Sequence, residues 1–161
     1  MIATRRATVF ACGRSNLAAA SLSPGVRVVE VPCAGRISTP LLLATLLRGA
    51  DGVLVLGRNQ ATCRFRGAED VIRARVSRAR ELLELAGLDP ARLAFREPAP
   101  GPAGPTDEAA AFIGELGTRQ RLPLTARLPR ALTRRGSGEG LDTAVGIACW
   151  LLTRPELDVD P

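Results

Sequence analysis

Short apolar runs alternate along this chain with longer stretches of helical period. Thr8–Ala11, Val26–Val31 and Val53–Leu56 are aliphatic or β-branched runs of strand length, and each is bounded by glycine, proline or polar residues. Gly52 and Gly57 bracket the third, GVLVLG, which predicts a fully buried central strand. The first strand extends over residues 7–12. Leu93–Arg96 is a weaker fourth candidate. Between them lie helical patterns. Asn16–Leu22 is a short Ala-rich segment, and Ser38 or Thr39 can cap a helix with Pro40 in its first turn that runs to about Arg48 and stops at Gly49. In the stretch Glu69–Ala86, Ile72, Val76, Ala79, Leu83 and Ala86 recur at steps of three and four, and Gly87 follows as the expected stop. Glu97–Pro105, EPAPGPAGP, reads as a loop, and a further helix spans about Asp107–Leu116.

Strands alternating with helices predict right-handed crossovers and a parallel sheet. The expected fold is therefore α/β: a small four-stranded parallel sheet with helices on both faces, flavodoxin-like or Rossmann-like, over residues 1–120. Residues 121–161 differ. Leu122–Arg135 is rich in Pro and Arg, Gly136–Gly140 reads GSGEG, and Asp142–Arg154 is a nearly all-apolar helical pattern that contains Cys149 and Trp150. That helix is too short to span a membrane. It is expected to pack on the domain or on a partner, as a C-terminal helical extension.

Composition narrows the function. The chain has 161 residues, 46% of them hydrophobic, so it can bury a core of ordinary size. Aromatics are 3%, with no tyrosine, which argues against the stacking platforms of single-stranded nucleic-acid binders. The formal charge is +6 and every basic residue is arginine, but the arginines are interspersed with acids, which favours a solvated surface or a protein partner over nucleic acid. No signal-peptide pattern and no apolar run long enough for a membrane span is visible, so a cytoplasmic protein is expected. There is no histidine, hence no usual general base and no zinc nitrogen ligand. No Gly-rich dinucleotide fingerprint, Walker loop or nucleophile elbow is present.

The four cysteines are the one constellation with chemistry. They read either as small buried hydrophobes or as redox or metal-binding thiols, disulfides being rare in a cytoplasmic protein. Three of them close the first three strands: Cys12 directly, Cys33 after Pro32, and Cys63 at the end of the loop RNQATC. Sites in parallel sheets form just beyond the carboxyl ends of the strands, and neighbouring strands lie about 4.8 Å apart. Cys12, Cys33 and Cys63 are therefore expected at one sheet edge, within reach of one metal centre.

These motifs, FACGRS, VRVVEVPCAGR and GADGVLVLGRNQATCRFRG, followed by ELLELAGLDPARL, resemble the delta subunit of the methyl-viologen-reducing hydrogenase over about residues 7–116. That family is the small iron–sulfur subunit that accompanies heterodisulfide reductase. The resemblance implies a 2Fe–2S cluster and electron transfer between a hydrogenase or dehydrogenase and a flavin- or iron–sulfur-containing oxidoreductase, such as a heterodisulfide reductase A-like subunit. It assigns Cys12, Cys33 and Cys63 as thiolate ligands. Two positions depart from the family pattern. Ser15 stands where the second cysteine of a Cys-x-x-Cys is expected, and Arg58 where a Gly-Cys cysteine is expected. Three thiols cannot make a four-thiolate cluster. Ser15 or the remote Cys149 would have to complete it, and Arg58, always cationic, can only balance its charge. The alternative reading is a cluster-free structural or docking module descended from the same family.

Overall fold

The computed structural model describes residues 5–13, 15, 17, 22–58, 63, 65–99 and 104–119. Four strands, β1 (Ala7–Cys12), β2 (Val26–Val31), β3 (Gly52–Leu56) and β4 (Leu93–Arg96), form one sheet in the order β2-β1-β3-β4. All three pairings are parallel, with Ala7 opposite both Val26 and Gly52, and Val53 opposite Leu93. The helices are α1 (Thr39–Leu47), α2 (Ala68–Leu85) and α3 (Gly104–Gly117), and short 3₁₀ turns occupy Ala34–Arg36 and Pro90–Arg92.

The sheet buries both faces because its central strands alternate two apolar sets. Phe10, Val53 and Val55 point into one core with Leu42, Leu43 and Leu46 of α1 and Ile72, Val76, Ala79 and Leu83 of α2. Ala7, Val9, Leu54 and Leu56 point into the other, where Ala109, Phe112 and Leu116 of α3 cover them, with Leu17 and Leu22 packed alongside. Every residue of β3 is buried, as its unbroken apolar run requires. β2 exposes Arg27 and Glu30, charges that suit a sheet edge.

Local chemistry sets the helix boundaries. Ser38 Oγ accepts from the Leu41 amide at 3.3 Å, capping α1 with Pro40 in its first turn. α2 begins after Gly67, whose φ of 80° is a left-handed conformation suited to glycine. Its buried stripe is Ile72, Val76, Ala79, Leu82 and Leu83. α3 starts at Gly104, so the end of the expected loop, Gly104–Pro105, belongs to the helix. The reason is that proline in a first turn loses no intrahelical hydrogen bond and already has a helical φ. The expected Asn16–Leu22 helix falls largely outside the described residues, and the expected helix Asp142–Arg154 falls entirely outside them. Among the described residues, no helix is long and apolar enough to cross a membrane.

A polar network ties the amino ends of the strands together. Asp51 accepts from the Arg6 amide at 2.9 Å, and the buried Arg92 guanidinium donates to the Asp51 carbonyl at 2.8 Å. Arg5 donates to the carbonyls of Gly117 and Arg119, and Arg119 pairs with Asp89. The opposite, carboxyl edge is held by turns and opens into a cavity.

Candidate functional site

The chain's first connection runs from β1 to the edge strand β2. The second recrosses β1 to reach β3. Strand order thus reverses between β1 and β3, and the carboxyl edge beside such a reversal is where parallel sheets leave room for a ligand. A cavity of about 980 Å³ opens there.

Cys12, Cys33 and Cys63 all line it. Each arrives by a different local device. Cys12 is the last residue of β1; the amide of Gly13 donates to the Val31 carbonyl at 2.8 Å and the Ser15 amide to the Cys12 carbonyl at 2.7 Å, which turns the chain immediately after the thiol. Cys33 precedes the 3₁₀ turn with an extended backbone, and its carbonyl accepts from the Arg36 amide at 3.1 Å. Pro32 before it cannot extend the ladder, so the chain leaves the sheet at this point. The Cys63 thiol donates to the Phe65 carbonyl at 3.5 Å. All three thiols are free and partly exposed.

Arg75 of α2 holds the turn after Cys33 in place. Its guanidinium donates to the carbonyls of Gly35 at 2.6 Å and Ile37 at 3.0 Å, while Thr39 Oγ1 donates to the Arg75 carbonyl at 3.2 Å. Gly35 sits so close to α2 that a Cβ there would stand 3.1 Å from Ala68. Gly57, just beyond β3, is shaped by the Phe95 ring, which an added Cβ would meet at 2.7 Å.

Arg58 and Arg66 contribute positive charge to the cavity wall, and Phe65, Ile72 and Phe95 contribute apolar surface. The first turn of α2 contributes Glu69 and Asp70. Glu69 is ion-paired with Arg73, whose guanidinium lies 5.2 Å from the centroid of the Phe95 ring. Glu97, just past β4, is pushed up to about 6 by burial and by the neighbouring Glu69 carboxyl.

Four of the five expected site residues thus meet at one cavity: the three cysteines and Arg58. Ser15 is buried and is not among the residues lining the cavity. Among the described residues, no three Cys, Asp or Glu side chains converge closely enough to hold a single metal ion. The donor type nevertheless suits an iron–sulfur centre, which spreads its thiolates over two irons, although the described thiols number one fewer than a four-thiolate centre needs. Cys149 lies outside the described residues. Sequence reasoning overlooked Glu97 and Arg75. Glu97 opens a Pro/Gly-rich loop and Arg75 sits on the polar face of a regular helix, so neither local pattern distinguishes them.

A family model described as the methyl-viologen-reducing hydrogenase delta subunit matches residues 2–115. The chain is 33% identical over 92 residues to the iron-sulfur subunit of the vhu F420-non-reducing hydrogenase of Methanopyrus kandleri, covering 52% of this chain and 70% of that one. It is 34% identical over 73 residues to the F420-non-reducing hydrogenase iron-sulfur subunit of Archaeoglobus profundus, covering 45% and 53%. It is 32% identical over 92 residues to the A subunit of the ferredoxin:CoB-CoM heterodisulfide reductase of Methanosarcina mazei, covering 52% of this chain and 12% of that longer one.

Proposed function

This chain belongs to the family of the methyl-viologen-reducing hydrogenase delta subunit, and we propose that it is an electron-transfer subunit of a hydrogenase- or heterodisulfide-reductase-like oxidoreductase, built to hold a 2Fe–2S centre. One observation carries this reading: three cysteines from three separate connections line a single cavity at the carboxyl edge of the sheet. A core role for the thiols would have scattered them among the buried aliphatics, and none of the three is fully buried.

In this reading Cys12, Cys33 and Cys63 hold the centre, which when bound supplies a one-electron store. The protein's own groups set its surroundings. Arg58 and Arg66 offset negative charge carried in the cavity. Ile72, Phe95 and Phe65 reduce water access, which strengthens that electrostatic effect. The Arg75 clamp keeps the Cys33 turn from relaxing away from α2. The partners are other subunits of a hydrogenase or heterodisulfide reductase, as the names of the relatives suggest, and on this reading they bear flavin or iron–sulfur centres in a reducing, cytoplasmic setting where free thiols persist.

A second reading has its own support. Arg58 lines the cavity where a fourth thiolate would be useful, and Ser15 does not line it. A cluster-free subunit that retains only the docking role would tolerate both. Anaerobic reconstitution of the full chain with iron and sulfide separates the two. We expect about two irons and two sulfides per chain, visible absorption, and loss of both in Cys33→Ala. A colourless protein without iron, still co-purifying with an oxidoreductase partner, establishes the docking reading instead.

A further inference from the structure

The cavity at the carboxyl edge is larger than three thiols and a diiron core require. Cavities of about 300–1,000 Å³ hold whole organic ligands, and this one has a volume of about 980 Å³ beside Cys12, Cys33 and Cys63. An all-cysteine iron–sulfur centre takes four thiolates, and among the described residues three line the cavity. The Ser15 side chain, closest in sequence to Cys12, is buried and does not line it. The wall instead carries cations. Arg58, half-buried, follows Gly57 at the end of β3, and Arg66, exposed, precedes α2. A guanidinium supplies no ligand to iron, but its fixed fork of N–H donors binds carboxylates and sulfonates.

From this arrangement we propose that the cavity takes a small thiol bearing an anionic group, whose sulfur is the fourth ligand of the two-iron centre and whose carboxylate or sulfonate is held by Arg58. This deepens the electron-transfer reading and rests on it. The assembly balances: two ferric ions, two sulfides, three cysteine thiolates and one external thiolate form a dianionic centre. The irons give up water, the thiol protons pass to buffer, and no electron is transferred. The anionic group of the external thiol adds a further negative charge, which is costly in a partly enclosed site unless cations face it. Arg58 and Arg66 supply them.

The rest of the lining suits the two ends of such a molecule. Phe65, Ile72 and Phe95 give its carbon stem an apolar wall. Glu69 and Asp70, in the first turn of α2, repel an anionic tail from that part of the wall, Glu69 less so because Arg73 pairs with it. The loop after β3, where Arg58 stands, is thus the cationic side. Exposed Arg66 is screened by salt, and half-buried Arg58 less so, which makes Arg58 the stronger partner.

The reconstitution that tests the electron-transfer reading is run with a thiol reductant present; here the thiol is the variable. The full chain is reduced with a phosphine, freed of it, and given ferric iron and sulfide anaerobically with no thiol, with anionic mercaptopropionate or with cationic cysteamine. With mercaptopropionate we expect about two irons, two sulfides and one thiol per chain by native mass spectrometry, and little iron without a thiol. A Ser15→Ala, Cys149→Ala double variant, which lacks the internal candidates for the fourth ligand, should behave alike. The half-saturating concentration of mercaptopropionate relative to cysteamine should be about tenfold lower in wild type than in Arg58→Gln. Comparing the two proteins cancels the intrinsic difference between the thiols. Arg58→Lys, which keeps the charge, should retain most of the preference. A centre that forms fully without added thiol overturns the proposal and leaves the electron-transfer reading standing. So does its loss from a double variant that melts like wild type, or a thiol preference unchanged in Arg58→Gln. No iron under any condition, in protein that melts cooperatively, overturns both.

Discussion

Glu97 illustrates how a single partly buried carboxyl can lower stability. Burial and the neighbouring Glu69 carboxyl raise its pKa to about 6 from an ordinary carboxyl value of 4.5. A carboxyl raised in the folded state stabilises the fold where it is protonated in both states, below the unfolded pKa. That stability is lost as pH rises through the folded pKa. Wild type should therefore lose roughly 1–2 kcal/mol relative to Glu97→Gln between about pH 4.5 and 6 and remain less stable above that window. Urea denaturation of both proteins at several pH values checks this. A constant difference across the window would mean that Glu97 titrates alike in the folded and unfolded chains.

At the scale of elements, the decisive contact is between α2 and the turn that carries Cys33. Neither is rigid by itself: the turn is three residues long, and its preceding residue has no side-chain cap. Arg75 joins them through two charge-assisted bonds to main-chain carbonyls. Arg75→Ala should destabilise the protein by about 2 kcal/mol, since hydrogen bonds to charged groups are worth about 1.5–3 kcal/mol. Arg75→Lys should recover only part, because both bonds come from one terminal guanidinium nitrogen and the ammonium of lysine sits on a stem one atom shorter. Equilibrium denaturation gives the energy, and the rate at which Cys33 reacts with a maleimide reports the loosened turn. An unchanged rate in a destabilised variant would place Arg75 in general packing alone. The same clamp explains why an 18-residue helix rich in exposed charge starts at a fixed place beside the cavity.

At the scale of the whole molecule, the described residues form one sheet with both faces covered. α1 and α2 close one core and α3 the other, so among the described residues both faces are covered by elements that end by Gly117. The polar network from Arg5 and Asp51 through Arg92 to Arg119 fastens its far end. Truncation after Arg135 should therefore leave a cooperative melting transition with little change in midpoint, while weakening co-purification with an oxidoreductase partner through loss of the apolar stretch at 142–154. A shortened chain that no longer melts cooperatively would make that stretch part of the core.

The sequence by itself determined the strands, their parallel arrangement and the edge at which Cys12, Cys33 and Cys63 leave the sheet. These depend on local periodicity and on Gly and Pro punctuation, and on the near-obligatory hand of the crossover. The resemblance also pointed to Arg58, which stands where a Gly-Cys cysteine is expected. Only the tertiary structure decided that Ser15, three residues from Cys12, is buried and not among the residues lining the cavity, that Glu69 lines it, and that Arg75 holds the turn after Cys33. The first depends on the tight turn closed by the bond from the Ser15 amide to the Cys12 carbonyl. The others depend on contacts between separate elements, such as that between Gly35 and Arg75, 40 residues apart. No pattern of neighbours records such contacts, because the folded sheet, rather than the adjacent residues, brings those groups together.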